Sequence, residues 1–122
     1  MDLEFSEYVL EGHTVVEIRG ELDLSSAPAL RDRLLEIAAD GPVRLILDLS
    51  GLTFMDSTGI SVLVATERQA HVLGGTLSLA GPQKVVARVL HITSLDKHFP
   101  TFPTVGDAVQ AGRDAGPPVA TT

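Results

Sequence analysis

Val43-Arg44-Leu45-Ile46-Leu47-Asp48-Leu49, followed by Ser50-Gly51-Leu52-Thr53-Phe54-Met55-Asp56-Ser57-Thr58-Gly59, is the stretch on which the fold turns. Its first seven residues form a short, nearly continuous apolar run, the pattern of a central parallel strand covered on both faces. Beyond the glycine, Ile60, Leu63, Val64 and Ala70 can face a sheet while Glu67, Arg68 and Gln69 face water, and Ile60 to Leu73 carries enough helix formers for about four turns. Gly74-Gly75 ends that helix. Ser50 to Thr53 reads as a connection and Phe54 to Gly59 as a polar hinge. Ser57 then falls among the first unpaired N–H groups of a helix, where side-chain oxygens and phosphate oxygens both find donors. It reads either as a helix cap or as a phosphorylation point.

Working outward, Leu3 to Leu10 and Thr14 to Arg19 are strand-like runs joined by a tight turn at Glu11-Gly12-His13. Gly20-Glu21-Leu22-Asp23-Leu24 leads out of the sheet. Ser25 or Ser26 can cap the next helix, with Pro28 in its first turn. Leu30, Leu34, Ile37 and Ala38 make one apolar stripe along that helix, and Gly41-Pro42 ends it. On the other side, Thr76 to Ala80 is a strand and Lys84 to His91 a helix. Leu95 to Phe102 reads as a short edge strand or an irregular segment. Thr104 caps a last helix running to Ala111, and residues 112–122 have the composition of a disordered tail.

Strands separated by helical runs imply an α/β fold: one small domain over residues 1–111, a mixed sheet of four to five strands with helices packed around it. Loops that follow strands carry sites in such sheets. Two of them, Glu21 to Ser25 and Asp56 to Gly59, would share one surface if their strands lie side by side in the same sense.

At 122 residues the chain holds one ordinary core. A hydrophobic share of 44% with 20% charged residues is globular, and only 4% aromatic residues leaves aliphatic packing to fill the interior. The absence of cysteine excludes disulfides, thiolate zinc sites and cysteine nucleophiles. Nine basic against sixteen acidic side chains give a net charge of −7, which argues against nucleic acid or anionic membrane as partner and suits a protein with a basic face. No apolar run approaches the roughly 20 residues of a membrane span, and the start of the chain lacks a basic segment followed by an apolar block. A cytoplasmic location is expected.

Catalysis finds little support. The nucleophile elbow Gly-x-Ser-x-Gly is not met around Ser57, because Met55 stands two residues before it. His13, His71, His91 and His98 are scattered and read as surface histidines, so a serine hydrolase has no evident base. No His-Glu-x-x-His motif and no Walker loop occur, so neither a metal nor a nucleotide cofactor is expected.

The hinge Phe54-Met55-Asp56-Ser57-Thr58-Gly59, taken together with Gly20-Glu21-Leu22-Asp23, resembles the STAS-domain family of anti-sigma factor antagonists over roughly residues 3 to 111. The resemblance implies that Ser57, directly after the aspartate, is phosphorylated by an anti-sigma factor that is also a serine kinase. The unphosphorylated protein would bind that kinase and free a sigma factor, the phosphorylated one would let go, and a serine phosphatase would reset the switch. It also implies a partner surface made of Asp56, Ser57, Thr58 and Gly59 with a second contact loop at Glu21, Asp23 and Ser25. Thr58 would help close the first helical turn, although its hydroxyl is also open to modification. The domain would be substrate and ligand rather than enzyme. The same resemblance extends to scaffolds with other partners, such as a stressosome component or a transporter-associated subunit.

Overall fold

The computed structural model describes residues 2–114. Leu3–Leu10 (β1) and His13–Leu22 (β2) form an antiparallel hairpin, with Glu11 and Gly12 both at positive φ, 48° and 81°, as a two-residue turn matched to strand twist requires. The chain continues through Ala27–Ala38 (α1), Arg44–Met55 (β3), Ser57–Val72 (α2), Thr76–Ala80 (β4), Lys84–Ile92 (α3), Leu95–His98 (α4), Thr101–Phe102 (β5) and Val105–Asp114 (α5). The five strands lie in sequence order, and β2, β3, β4 and β5 are mutually parallel. β3 sits in the middle, the place its apolar run demands.

One face of the sheet carries α1, α2 and α3. Val16, Ile18, Leu45, Leu47, Leu49, Leu77 and Leu79 meet Leu30, Leu34, Val62, Leu63, Val86 and Leu90 there, with Phe99 sealing one side. Fully burying an aliphatic side chain of this size stabilises by about 1.5–3 kcal/mol, so this layer dominates the energetics. Among the described residues the opposite face is covered by α5, where Ala108 and Val109 pack on Val15, Ile46 and Ala80.

Two strands are longer than their apolar patterns. β3 does not stop at Leu49: Ser50 to Met55, read as connection and hinge, continue as strand and pair Gly51, Leu52, Phe54 and Met55 with Arg19, Gly20, Glu21 and Leu22 of β2. Leu52 and Met55 are buried and Thr53 and Phe54 exposed, so the segment still serves the core although polar residues interrupt it. β2 likewise keeps Gly20 to Leu22 in the sheet. The register shifts between Gly20 and Glu21, and Gly20 has φ 105° with the Asp2 carbonyl oxygen 2.2 Å from where a Cβ would stand. Only glycine fits that irregularity.

Smaller corrections follow the same logic. Leu95 to Phe102 divides into the four-residue α4 and the two-residue edge strand β5. α5 runs to Asp114, three residues into the stretch read as tail, because Arg113 pairs with Glu11 at 2.9 Å and Gly112 lies against the His13 ring. Residues 115–122 of the expected tail lie outside the described residues. His13 is buried at 3% exposure rather than on the surface, since α5 closes over it.

Candidate functional site

Because β2 and β3 are parallel neighbours, the loops that leave them emerge at the same edge of the sheet. The amide of Asp56 donates to the carbonyl of Leu22 at 3.4 Å, tying the two exits together. Each loop is an aspartate turn. In the first, Asp23 Oδ1 accepts the amides of Ser25 and Ser26 at 3.0 and 3.1 Å and the Ser25 hydroxyl at 2.8 Å. Ser26 Oγ donates to the Glu21 carbonyl at 2.8 Å and accepts the Asp23 amide at 3.0 Å. Neither serine side chain caps α1: Ser26 stands at the N-cap position without a side-chain cap bond, and Pro28 sits in the first turn. The hydroxyl of Ser25 and the amide of Ser26, helped by the remaining bonds to that carboxylate, hold the Asp23 carboxyl below the ordinary carboxylate range.

In the second loop Asp56, not Ser57, is the N-cap of α2, and its Oδ1 accepts the Thr58 amide at 2.9 Å. This resolves the alternative left by the sequence as far as capping goes. Ser57 is the first helical residue, it is exposed, and its hydroxyl has no hydrogen-bond partner among the described residues. Gly59 has a different duty. It is buried, and a Cβ there would stand 2.4 Å from Met55 Cγ and 2.9 Å from Leu22 Cδ2. The glycine lets the first turn of α2 rest directly on the ends of β2 and β3.

The structure therefore brings Glu21, Asp23, Ser25, Asp56, Ser57, Thr58 and Gly59 to one edge, but in unequal roles. Ser57 and Ser25 are exposed, Glu21, Asp23, Asp56 and Thr58 are half-buried, and Gly59 is behind the surface. Two apolar side chains stand beside them: Leu24 at 77% exposure and Phe54 at 40%. Sequence patterning passes over both, since an isolated Leu or Phe beside a strand end is ordinarily core. Next to them a cavity of about 200 Å³ opens between α1 and α2, lined by Leu24, Pro28, Arg31, Thr58, Ser61 and Val62 among others. Apolar side chains standing out of a polar rim are the composition of a protein contact surface.

No histidine adjoins Ser57. His13 lies at the start of β2, the opposite edge of the sheet from the exits of β2 and β3, and His71 is in the last turn of α2. His91 pairs with Asp96 at 2.9 Å and His98 with Glu67 at 3.5 Å. The arrangement offers a hydroxyl to another molecule but no base to activate it.

An α/β domain with a parallel central strand, two aspartate turns at one edge and a free serine hydroxyl at the mouth of the second helix defines the class: the chain belongs to the STAS domain family, whose model matches residues 5–108. It is similar to the anti-sigma-F factor antagonist RsfB of Mycobacterium tuberculosis, with 36% identity over 104 residues that cover 84% of this chain and 83% of that one. It is similar also to the anti-sigma-B factor antagonist of Bacillus subtilis, 38% identical over 85 residues, 70% and 77% of the two chains. Among solved structures, an anti-sigma factor antagonist from Mycobacterium paratuberculosis superposes with a TM-score of 0.85 at 34% identity, covering 93% of this chain and 96% of the other. The resemblance found in the hinge and in Gly20 to Asp23 thus extends over residues 5–108.

Proposed function

We propose that this chain is an anti-sigma factor antagonist that works as a phospho-switch on Ser57. Unphosphorylated, it binds an anti-sigma factor serine kinase and releases the sigma factor; phosphorylated on Ser57, it dissociates, and a serine phosphatase restores it. The observation that carries this reading is the exposed Ser57 hydroxyl, left free because the neighbouring Asp56 does the capping. The relatives' names supply the class of partner.

The physics of such a switch is local. A phosphate adds about −1.5 to −2 charge and three acceptor oxygens at neutral pH. At the first turn of α2 that charge faces unpaired N–H groups, so the domain keeps its fold. Inside a docked interface the same charge, beside Asp56 and near Asp23, must be desolvated against carboxylates. Each ~1.4 kcal/mol lost weakens binding about tenfold, so a drop of two to three orders of magnitude needs no refolding. The contact surface would comprise Glu21, Asp23, Ser25, Asp56, Ser57 and Thr58, with Leu24 and Phe54 as apolar anchors and Gly59 supporting from behind. The domain acts as ligand and substrate in this scheme, and a cytoplasmic setting follows from its partners. Among the described residues no helix is long and apolar enough to cross a membrane.

The test pairs two variants with the cognate anti-sigma kinase. Ser57→Ala should bind as the parent does and resist release by ATP, while Ser57→Glu should bind at least tenfold more weakly. Mass spectrometry after incubation with kinase and ATP should find the phosphate on Ser57. Phosphate on Thr58 alone, or on neither residue, overturns the assignment.

A further inference from the structure

Three of the four residues that follow Leu30 on α1 are charged, and they are used unequally. Arg33 is engaged twice, by Glu7 of β1 and by Glu36 at 3.2 Å. Arg31 is exposed and makes no ion pair among the described residues, yet it lines the α1–α2 cavity whose far wall is Thr58 and Ser61. Ser57 and Ser61 are four residues apart on one helix, so they stack on the same face, and Ser61 Oγ donates to the Ser57 carbonyl at 3.1 Å. Ser57 does not itself line the cavity, but its side chain projects from the helix face shared with Ser61, beside the wall that faces Arg31.

We propose that Arg31 is the intramolecular counter-ion of a phosphate on Ser57, drawing it across the mouth of the α1–α2 cavity. This rests on the phospho-switch reading and adds its regulation. A guanidinium presents planar donors that match phosphate oxygens, and an arginine already committed to a carboxylate would have to give that partner up. Arg31 has none to give up among the described residues. The local charge otherwise disfavours a dianion, since Asp32 lines the same cavity and Asp23 and Asp56 stand at the loop exits. Arg31 is the cation among the cavity's lining residues. Closing the phosphate over the cavity would also cover the apolar wall formed by Leu24, Pro28 and Val62. The modified protein would then lose its partner for two reasons, added charge and an obstructed groove.

The test needs no kinase. Phosphoserine is inserted at position 57 during translation in the full chain, in the parent background and with Arg31→Gln, Arg31→Lys or Asp32→Asn. The phosphorus NMR signal of each is followed through the second phosphate ionisation, which lies near pH 6 for a free phosphoserine. The parent's ionisation should be shifted to lower pH than that of Arg31→Gln by about threefold in the acid constant, as suits a solvent-exposed pair. Arg31→Lys should keep part of the shift and Asp32→Asn should enlarge it. Raising the salt to 0.5 M should shrink the difference. Circular dichroism checks that each variant is folded, which the exposure of Arg31 leads one to expect.

Identical titrations for the parent and Arg31→Gln at low salt would overturn the counter-ion. Loss of the shift in Asp32→Asn as well would assign it to helix packing rather than to Arg31, and overturns it equally. Failure of the switch itself would look different: the kinase incubation would put no phosphate on Ser57 while the inserted phosphate still titrated as described.

Discussion

The two loops at the working edge of the sheet are built on one plan and finished differently. Asp23-Leu24-Ser25-Ser26 and Asp56-Ser57-Thr58-Gly59 each begin with an aspartate whose Oδ1 accepts the amide two residues on, at 3.0 and 2.9 Å. In each, the residue directly after the aspartate is pushed out to solvent: Leu24 in the first, Ser57 in the second. The first loop then spends both of its hydroxyls on itself, on the Asp23 carboxylate and the Glu21 carbonyl. The second leaves its serine hydroxyl free and replaces the last serine by Gly59, which lies against Leu22 and Met55. One loop is a closed, self-bonded rim carrying an apolar knob; the other presents a reactive group. The pair shows how a small change in side chains divides docking from modification between neighbouring turns of the same shape.

The sharpest way to break that division is to change both exposed positions, adding charge at one and removing the apolar knob from the other. Ser57→Glu should weaken binding to the anti-sigma kinase by ten- to a thousandfold, and Leu24→Ala by about tenfold, the loss of one apolar anchor. Isothermal titration with the kinase measures both. Neither residue is buried, so melting temperatures should stay within about two degrees of the parent. If Leu24→Ala binds normally, the first loop is not a docking rim and the comparison fails on that side.

Next in size is the residue that closes each turn. Gly59→Ser would install in the second loop what the first loop already has. The added Cβ would stand 2.4 Å from Met55 Cγ, and overpacking of this kind costs about 1–3 kcal/mol. The reciprocal Ser26→Gly removes a hydrogen bond to the Glu21 carbonyl worth about 1 kcal/mol. Denaturant titration should rank them in that order, and a Gly59→Ser protein as stable as the parent would mean that α2 does not rest on the strand ends as described.

How much of this was legible beforehand depends on what each feature rests on. The central strand and the flanking helices follow from hydrophobic period, which the sequence carries in the open; the shared edge of the two loops follows only on the condition that their strands lie side by side in the same sense, which the parallel pairing of β2 and β3 meets. The second half of β3 was not legible, because Ser50, Gly51 and Thr53 break the apolar run while the backbone goes on pairing with β2. Strand length there is set by a neighbour rather than by local preference. The prominence of Leu24 and Phe54 was hidden for the opposite reason: an apolar residue beside a strand end looks like core until the helices are placed. Capping was ambiguous because Asp56 and Ser57 are both good N-cap residues, and only the helix start, one residue after Asp56, decides between them.

A smaller effect belongs to the two aspartates themselves. Asp56→Ala removes the N-cap of α2 and should cost about 1 kcal/mol, while a serine at that position should recover most of it. If the alanine variant melts as the parent does, the helix start is held by Gly59 packing alone, and the two turns are less alike than their hydrogen bonds indicate.

The smallest effect is one of pH, and it isolates the self-bonding of the first loop. Bonds from Ser25 and Ser26 lower the Asp23 pKa in the folded protein below its ordinary value of 3.8. A carboxyl with a depressed folded pKa contributes stability that is fully present above its unfolded pKa and is lost as pH falls through the lower, folded one. Asp23→Asn, which cannot ionise, should therefore melt below the parent at pH 7, a difference that narrows as the pH falls below 3.8. The bonds are direct contacts of 2.8 to 3.1 Å rather than long-range charge interactions, so 0.5 M salt is expected to leave them, and most of this difference, in place. A gap that widened toward acid would have the wrong sign for a carboxylate held by hydroxyl and amide donors, and the closed rim would then have to be held by something other than Asp23.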